Sequence, residues 1–166
     1  MGYRRGSSRP DGLSGDAALH RAAHDNGDVT WHLYPGGPLH RDDDRPAIER
    51  ADGAREWWRY GKRHRDGDKP AVIDADGTRE WHRDGKCHRD DDKPAIEYAG
   101  GARAWHRDGL LHRDGDYPAV EYPDGYREWW RGGQMHRDGG QPAVIDDDGA
   151  VQWWVRGVRQ PAPAAS

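Results

Sequence analysis

The chain has no phenylalanine, two methionines and a single cysteine in 166 residues. One thiol, Cys87, cannot form an internal disulfide, so no disulfide framework is expected. Apolar residues amount to 33% and no run of them approaches membrane-spanning length, so the chain has no candidate transmembrane segment and too little aliphatic material for an ordinary core. An excess of one charge is also missing. Twenty-six Lys and Arg are interleaved with 30 Asp and Glu, and a net charge of −4 gives no broad basic field for nucleic acid. Arg4 and Arg5 are not followed by an apolar stretch, so no secretory or twin-arginine signal is expected, and Gly6 stands where a myristoylation pattern takes Ser or Thr. The expected setting is the cytoplasm.

What the chain does have is nine tryptophans and a strict period of 24 residues. His-Arg-Asp or its equivalent recurs from His40 through His64, His88, His112 and His136. Pro46, Pro70, Pro94, Pro118 and Pro142 keep the same phase, as do Gly53 to Gly149 and Trp57 to Trp153. Low hydrophobicity with 23 glycines and 11 prolines would otherwise indicate disorder, but a disordered tract has no reason to hold tryptophan at fixed spacing. The period implies a repeat array in which each unit contacts its neighbours and tryptophan supplies most of the burial.

One unit shows the local grammar. Pro70-Ala71-Val72-Ile73 is a short β-prone run, Asp76-Gly77 a hairpin turn expected to be type I′, and Arg79 to Arg83 the returning strand. Asp84-Gly85 turns the chain again, and Lys86 to Arg89 lead into an acidic bend before Pro94. No segment sustains an apolar period of 3.6 residues. The fold class is therefore all-β, an elongated antiparallel meander of tandem β-hairpin repeats, left open between a single layer and a solenoid. Residues 1–16 are expected to form a disordered tail, 17–39 a degenerate capping repeat, 40–158 the array and 159–166 a second tail.

The segments Glu56-Trp57 to Gly61-Lys62-x-His64 and Glu80-Trp81 to Gly85-Lys86-x-His88 resemble the MORN repeat, a single-layer β-hairpin unit. The likeness covers roughly residues 26–157 and is closest to a divergent His-Arg-x-Asp-x-Pro-Ala class that looks like repeats of uncharacterised bacterial and phage proteins. Arg replaces the glycine after His, and an Asp-x-Asp-x-Pro bend replaces the second glycine. The resemblance implies a scaffold, a dimerisation surface or a lipid contact.

The five His-Arg-Asp motifs also match a fragment of a kinase catalytic loop, but the downstream Asn and a Gly-rich loop are missing. Their expected role is structural, with His beside the tryptophan column and Arg paired to Asp. Equivalent histidines would stand about 9–10 Å apart, too far to share a zinc ion. The acidic bends, such as Asp90-Asp91-Asp92, are flanked by Arg and Lys and are expected to be ion-paired rather than calcium-binding. No nucleophile-base pattern stands outside the repeat, so the chain is expected to be a non-enzyme without cofactor or metal.

Alternation on the returning strand puts Arg55 and Trp57 on one face and Glu56 and Trp58 on the other. The candidate binding residues are the second-face aromatics Trp58, Trp130, Trp154, Tyr98 and Tyr122, with Tyr126, and a stripe formed by Arg55, Arg79, Arg103 and Arg127. The function expected is non-catalytic binding of a protein partner through a sheet face, for example by a phage or bacterial regulator or inhibitor of a host protein, with self-association through sheet edges. The alternative is glycan on the aromatics or anionic lipid on the arginines.

Overall fold

A computed structural model describes residues 19–163. The tail expected at 1–16 lies outside the described residues. Every regular element within them is a β-strand. Thirteen strands form one open antiparallel sheet, ordered as in the sequence from His20–Ala23 at one edge to Val158–Gln160 at the other. It is a meander, and it does not close into a barrel. The segment 17–39 supplies the first hairpin, His20–Ala23 against Val29–His32, which docks on Ile48–Glu49. The last strand reaches Gln160, two residues into the segment expected to be a tail.

Each unit contributes two strands to the sheet, Val72–Ile73 and Arg79–Glu80 for example, and a separate two-stranded ribbon, His82–Arg83 against Lys86–Cys87. The returning strand expected to run unbroken from Arg79 to Arg83 is therefore divided at Trp81. That residue changes partners: its N–H donates to Ala95 O at 2.8 Å in the next unit, while its own carbonyl accepts from His88 N at 2.9 Å. Successive ribbons are linked by one backbone bond each, such as Gly85 N–H to Arg63 O at 2.9 Å. In the fifth unit the strand stays whole, as Val151–Val155.

The first turn of a unit is not the type I′ expected of it. Asp74 to Gly77 form a turn with Gly77 N–H on Asp74 O at 3.0 Å; Gly77 has φ 94° and Asp76 stays out of the left-handed region. This is a type I turn closed by a glycine bulge. At the second turn both Asp84 (φ 52°) and Gly85 (φ 86°) are left-handed, the type I′ geometry of a two-residue hairpin.

The core is a column. Ala47, Ala71, Ala95, Ala119 and Ala143 are fully buried, and Trp57, Trp81, Trp105 and Trp129 nearly so. Sequence reasoning placed histidine against these rings, yet the group lying on each indole face is the arginine of the following His-Arg-Asp. Arg65 sits 3.7 Å over Trp57, Arg89 3.7 Å over Trp81, Arg113 3.8 Å over Trp105 and Arg137 3.9 Å over Trp129. Arginine suits this position because its plane stacks on the ring while its edge still donates hydrogen bonds. Arg89 uses that edge on Pro94 O at 3.2 Å and, through two nitrogens, on the Asp68 carboxylate of the preceding bend. The rung from Arg to an Asp 21 residues earlier recurs at Arg65–Asp44, Arg113–Asp92 and Arg137–Asp116.

The bends come in two forms that alternate along the array. In the first, third and fifth, both central residues are left-handed: Asp43 and Asp44, Asp91 and Asp92, Gly139 and Gly140. There the carbonyl of the second residue accepts the indole N–H of Trp57, Trp105 or Trp153 at 3.0–3.1 Å. In the second and fourth bends only Gly67 and Gly115 are left-handed, and the Trp81 and Trp129 indole nitrogens are buried without a protein partner.

Candidate functional site

The His-Arg-Asp motifs are occupied with holding the array together. The N–H of Asp84 donates to His64 Nδ1 at 3.1 Å, and the same bond joins Asp108 to His88 and Gly132 to His112. A backbone N–H can only donate, so Nδ1 is the bare nitrogen and Nε2–H faces the acid two residues on, as from His64 to Asp66 at 3.0 Å. The aspartate two residues after the His-Arg-Asp acid carries the arginine rung in each of the first four bends, and at Asp44 and Asp68 it also accepts from Lys69 and Lys93. Hydrogen bonds from Arg65 and Lys69 hold Asp44 at a pKa of about 2, below the ordinary carboxylate value, and those from Arg107 and His112 do the same for Asp114, the acid of its own His-Arg-Asp. A carboxylate with a depressed folded pKa stabilises the fold above its unfolded pKa and stops doing so as pH falls through the folded value. The urea midpoint is expected to be flat from pH 7 to 5 and to fall steadily between pH 4 and 2. A midpoint unchanged at pH 2.5 would mean the rungs contribute nothing.

On the opposite face of the sheet runs a row of cross-strand partners: Ile48, Glu56, Val72, Glu80, Ile96, Ala104, Val120, Glu128, Val144, Gln152. Aliphatic residues alternate with a column that is acidic or amidic except at Ala104. Each acid or amide of that column is bonded to the aromatic two residues on. Trp58 Nε1 donates to Glu56 at 3.1 Å, Trp130 Nε1 to Glu128 at 2.7 Å and Trp154 Nε1 to Gln152 at 3.3 Å. His82 Nε2 lies 2.7 Å from Glu80, a contact that lowers the Glu80 pKa. His106 has no such partner, because its unit carries Ala104. Its Nδ1 is buried without a hydrogen bond, and burial disfavours the charged ring and lowers its pKa.

Where the acid is missing, a cavity of about 590 Å³ opens along the third to fifth units. Ile96, Ala104, Leu111 and Val120 give it apolar surface, and Tyr98, Tyr122, Tyr126 and His106 line it with rings. Tyr122 and Tyr126 meet edge to face, 5.5 Å between centroids at 85°. The remaining lining groups are carboxylates: Asp124, Glu128, Asp146 and Asp147. No Lys or Arg lines it among the described residues. Tyr126 O–H donates to Glu128, and burial together with that bond raises the phenol pKa. No family model matches the chain, and no curated protein does either.

The expected binding residues are thus divided between two faces. Tyr98 and Tyr122 are exposed and share the groove. Trp58, Trp130 and Trp154 lie on the same face but half-buried, each tethered by its indole N–H to the Glu or Gln beside it, and none lines the groove. Arg55, Arg79, Arg103 and Arg127 occupy the other face, where their cross-strand partners are Glu49, Ile73, Glu97, Glu121 and Ile145. That stripe is interleaved with acids, and Arg79 lies 3.8 Å from Glu97. Sequence reasoning named the tyrosines but missed His106, Asp124, Glu128, Asp146 and Asp147 as their neighbours. The signal was present in one column: Glu56, Glu80, Ala104, Glu128, Gln152.

Cys87 is not a reactive group, since burial pushes its thiol up to about 12.

Proposed function

We propose that the chain is a non-catalytic binding module that seats an extended segment of a protein partner in the groove over its third to fifth units. The observation that carries this reading is the break in the repeat at Ala104. Everywhere else the column holds an acid or amide engaged with the neighbouring ring; here that side chain is absent, and three tyrosines and His106 line the resulting opening. Tyrosine suits protein contact because it offers a large rigid surface and a polar tip at low entropic cost. No Ser, Thr, Cys or Lys lines the groove among the described residues, which supports a binding role over a catalytic one. A regulator or inhibitor of another protein would use such a surface.

The test is a quantitative pull-down in which wild type is compared with Tyr98→Ala/Tyr122→Ala. Both side chains are exposed, so the variant is expected to keep the wild-type circular dichroism spectrum while losing at least tenfold in partner recovery. Equal recovery by the two proteins would move the binding surface away from the groove. Exposed tyrosines also suit sugar stacking, so a glycan array belongs in the same comparison. Anionic lipid is the weaker reading, because the arginine stripe it requires is interleaved with Glu49, Glu97 and Glu121.

A further inference from the structure

We infer that the groove recognises an arginine side chain presented by an extended basic segment of the partner; this rests on the groove being the binding surface. The array neutralises most of its own acids. The bends spend theirs on Arg, Lys and His, while Glu49, Glu97 and Glu121 accept from Arg41, Arg89 and Arg113. Asp124, Glu128, Asp146 and Asp147 form no ion pair with any cation among the described residues, and all four face one aromatic cavity. Four uncompensated carboxylates beside three phenol rings are a cation site in search of its cation, with ring faces for a guanidinium plane and acids for its N–H groups.

The first unit of the same array contains the occupied form of this arrangement. There Glu56 is buried, with Arg50 donating to Oε1, Arg63 Nε to Oε2 at 3.0 Å, and Trp58 Nε1 to Oε2. The Arg63 guanidinium also lies 5.4 Å over the Trp58 ring. Three periods of 24 residues later, Glu128 and Trp130 are retained, but Tyr122 replaces Arg50 and Met135 replaces Arg63. Glu128 keeps its two neutral donors, Tyr126 and Trp130, and has lost both guanidinium groups. The fourth unit thus presents the acid and the rings of the first without the arginines, and an arginine from outside supplies what is absent. Guanidinium is favoured over ammonium because it both stacks on a ring and donates in a fork.

The experiment titrates the whole chain into a fluorescein-labelled octapeptide of alternating serine and arginine, with the glutamine counterpart, a soluble β-glucan and phosphatidylserine vesicles as parallel probes. The arginine peptide is expected to bind at least tenfold more tightly than the glutamine peptide and to weaken as salt rises. Tyr122→Arg reinstates the residue of the first unit and places a guanidinium on Glu128 from within. It is expected to leave the urea midpoint no lower and to reduce peptide affinity at least tenfold. Asp146→Asn with Asp147→Asn, on exposed or half-exposed turn positions, should weaken binding several-fold without touching the fold. Equal affinity for the two peptides, or full affinity in Tyr122→Arg, overturns the inference. So does binding of glucan or vesicles in preference to the arginine peptide. If the groove variant Tyr98→Ala/Tyr122→Ala loses a lysate partner that the arginine peptide fails to displace, the groove remains the binding surface and the arginine assignment alone is lost.

Discussion

Replacing Trp105 with alanine is expected to lower the unfolding free energy of the chain by about 3–5 kcal/mol, the range for emptying a buried aromatic site. The loss has three parts. The buried indole leaves a void in the column, the Arg113 guanidinium loses the ring it lies on, and the carbonyl of Asp92 loses its donor. Trp81 provides an internal comparison. It is as buried and carries Arg89 at nearly the same distance, but its indole N–H has no protein partner. Substitution by phenylalanine at each position should therefore separate the two, with Trp105→Phe costing more by about 0.5–1.5 kcal/mol, the net value of one hydrogen bond. Urea unfolding followed by circular dichroism measures both differences. Equal costs for the two phenylalanine variants would show that the alternating bends carry no energetic distinction. Because units touch only their neighbours, Trp105→Ala in the middle of the array is also expected to broaden the transition.

The second large effect is expected at Glu56. Its carboxylate is 3% exposed and accepts from Arg50, Arg63 and Trp58. Breaking a fully buried ion pair costs about 3–5 kcal/mol, but Arg50 and Arg63 are partly exposed and can turn to water. Glu56→Ala is accordingly expected to cost about 2–3 kcal/mol. Glu56→Gln should recover roughly half of this. The fifth unit shows why: Gln152 accepts the Trp154 indole bond at 3.3 Å without any charge. If the alanine and glutamine variants unfold at the same urea concentration, the indole bond contributes nothing and the two arginines account for the whole effect.

Much of the architecture was legible in the sequence because a period of 24 residues leaves little freedom. The turn glycines, the Pro-Ala strands and the buried tryptophans all stand where the phase places them. The first turn of the unit departs from the type I′ expected of it, and residue counting explains it. Five residues separate Ile73 from its partner Arg79, while only two separate Arg83 from Lys86, and loop length selects the turn. The division of the returning strand at Trp81 has no propensity signal, since it depends on which neighbours its N–H and C=O meet. The arginine on the tryptophan face was hidden for a similar reason: stacking, ion pair and carbonyl contact converge from three segments distant in sequence. The groove was half visible. Tyr98 and Tyr122 stood out as aromatics, but Ala104 looked unremarkable until its acidic counterparts were seen engaged with their rings.

The rung from each arginine to the aspartate 21 residues earlier has a direction, and its two ends do not match. At the N-terminal end Arg41 reaches Pro46 and Glu49 and lies over Trp31. At the other end the aspartate position is Gly140 and the arginine position is Pro161. An aspartate at 140 would stand at the rung position with no arginine of its own chain in phase to meet it. With glycine there, the ladder stops without leaving an unmatched acid at its last rung position.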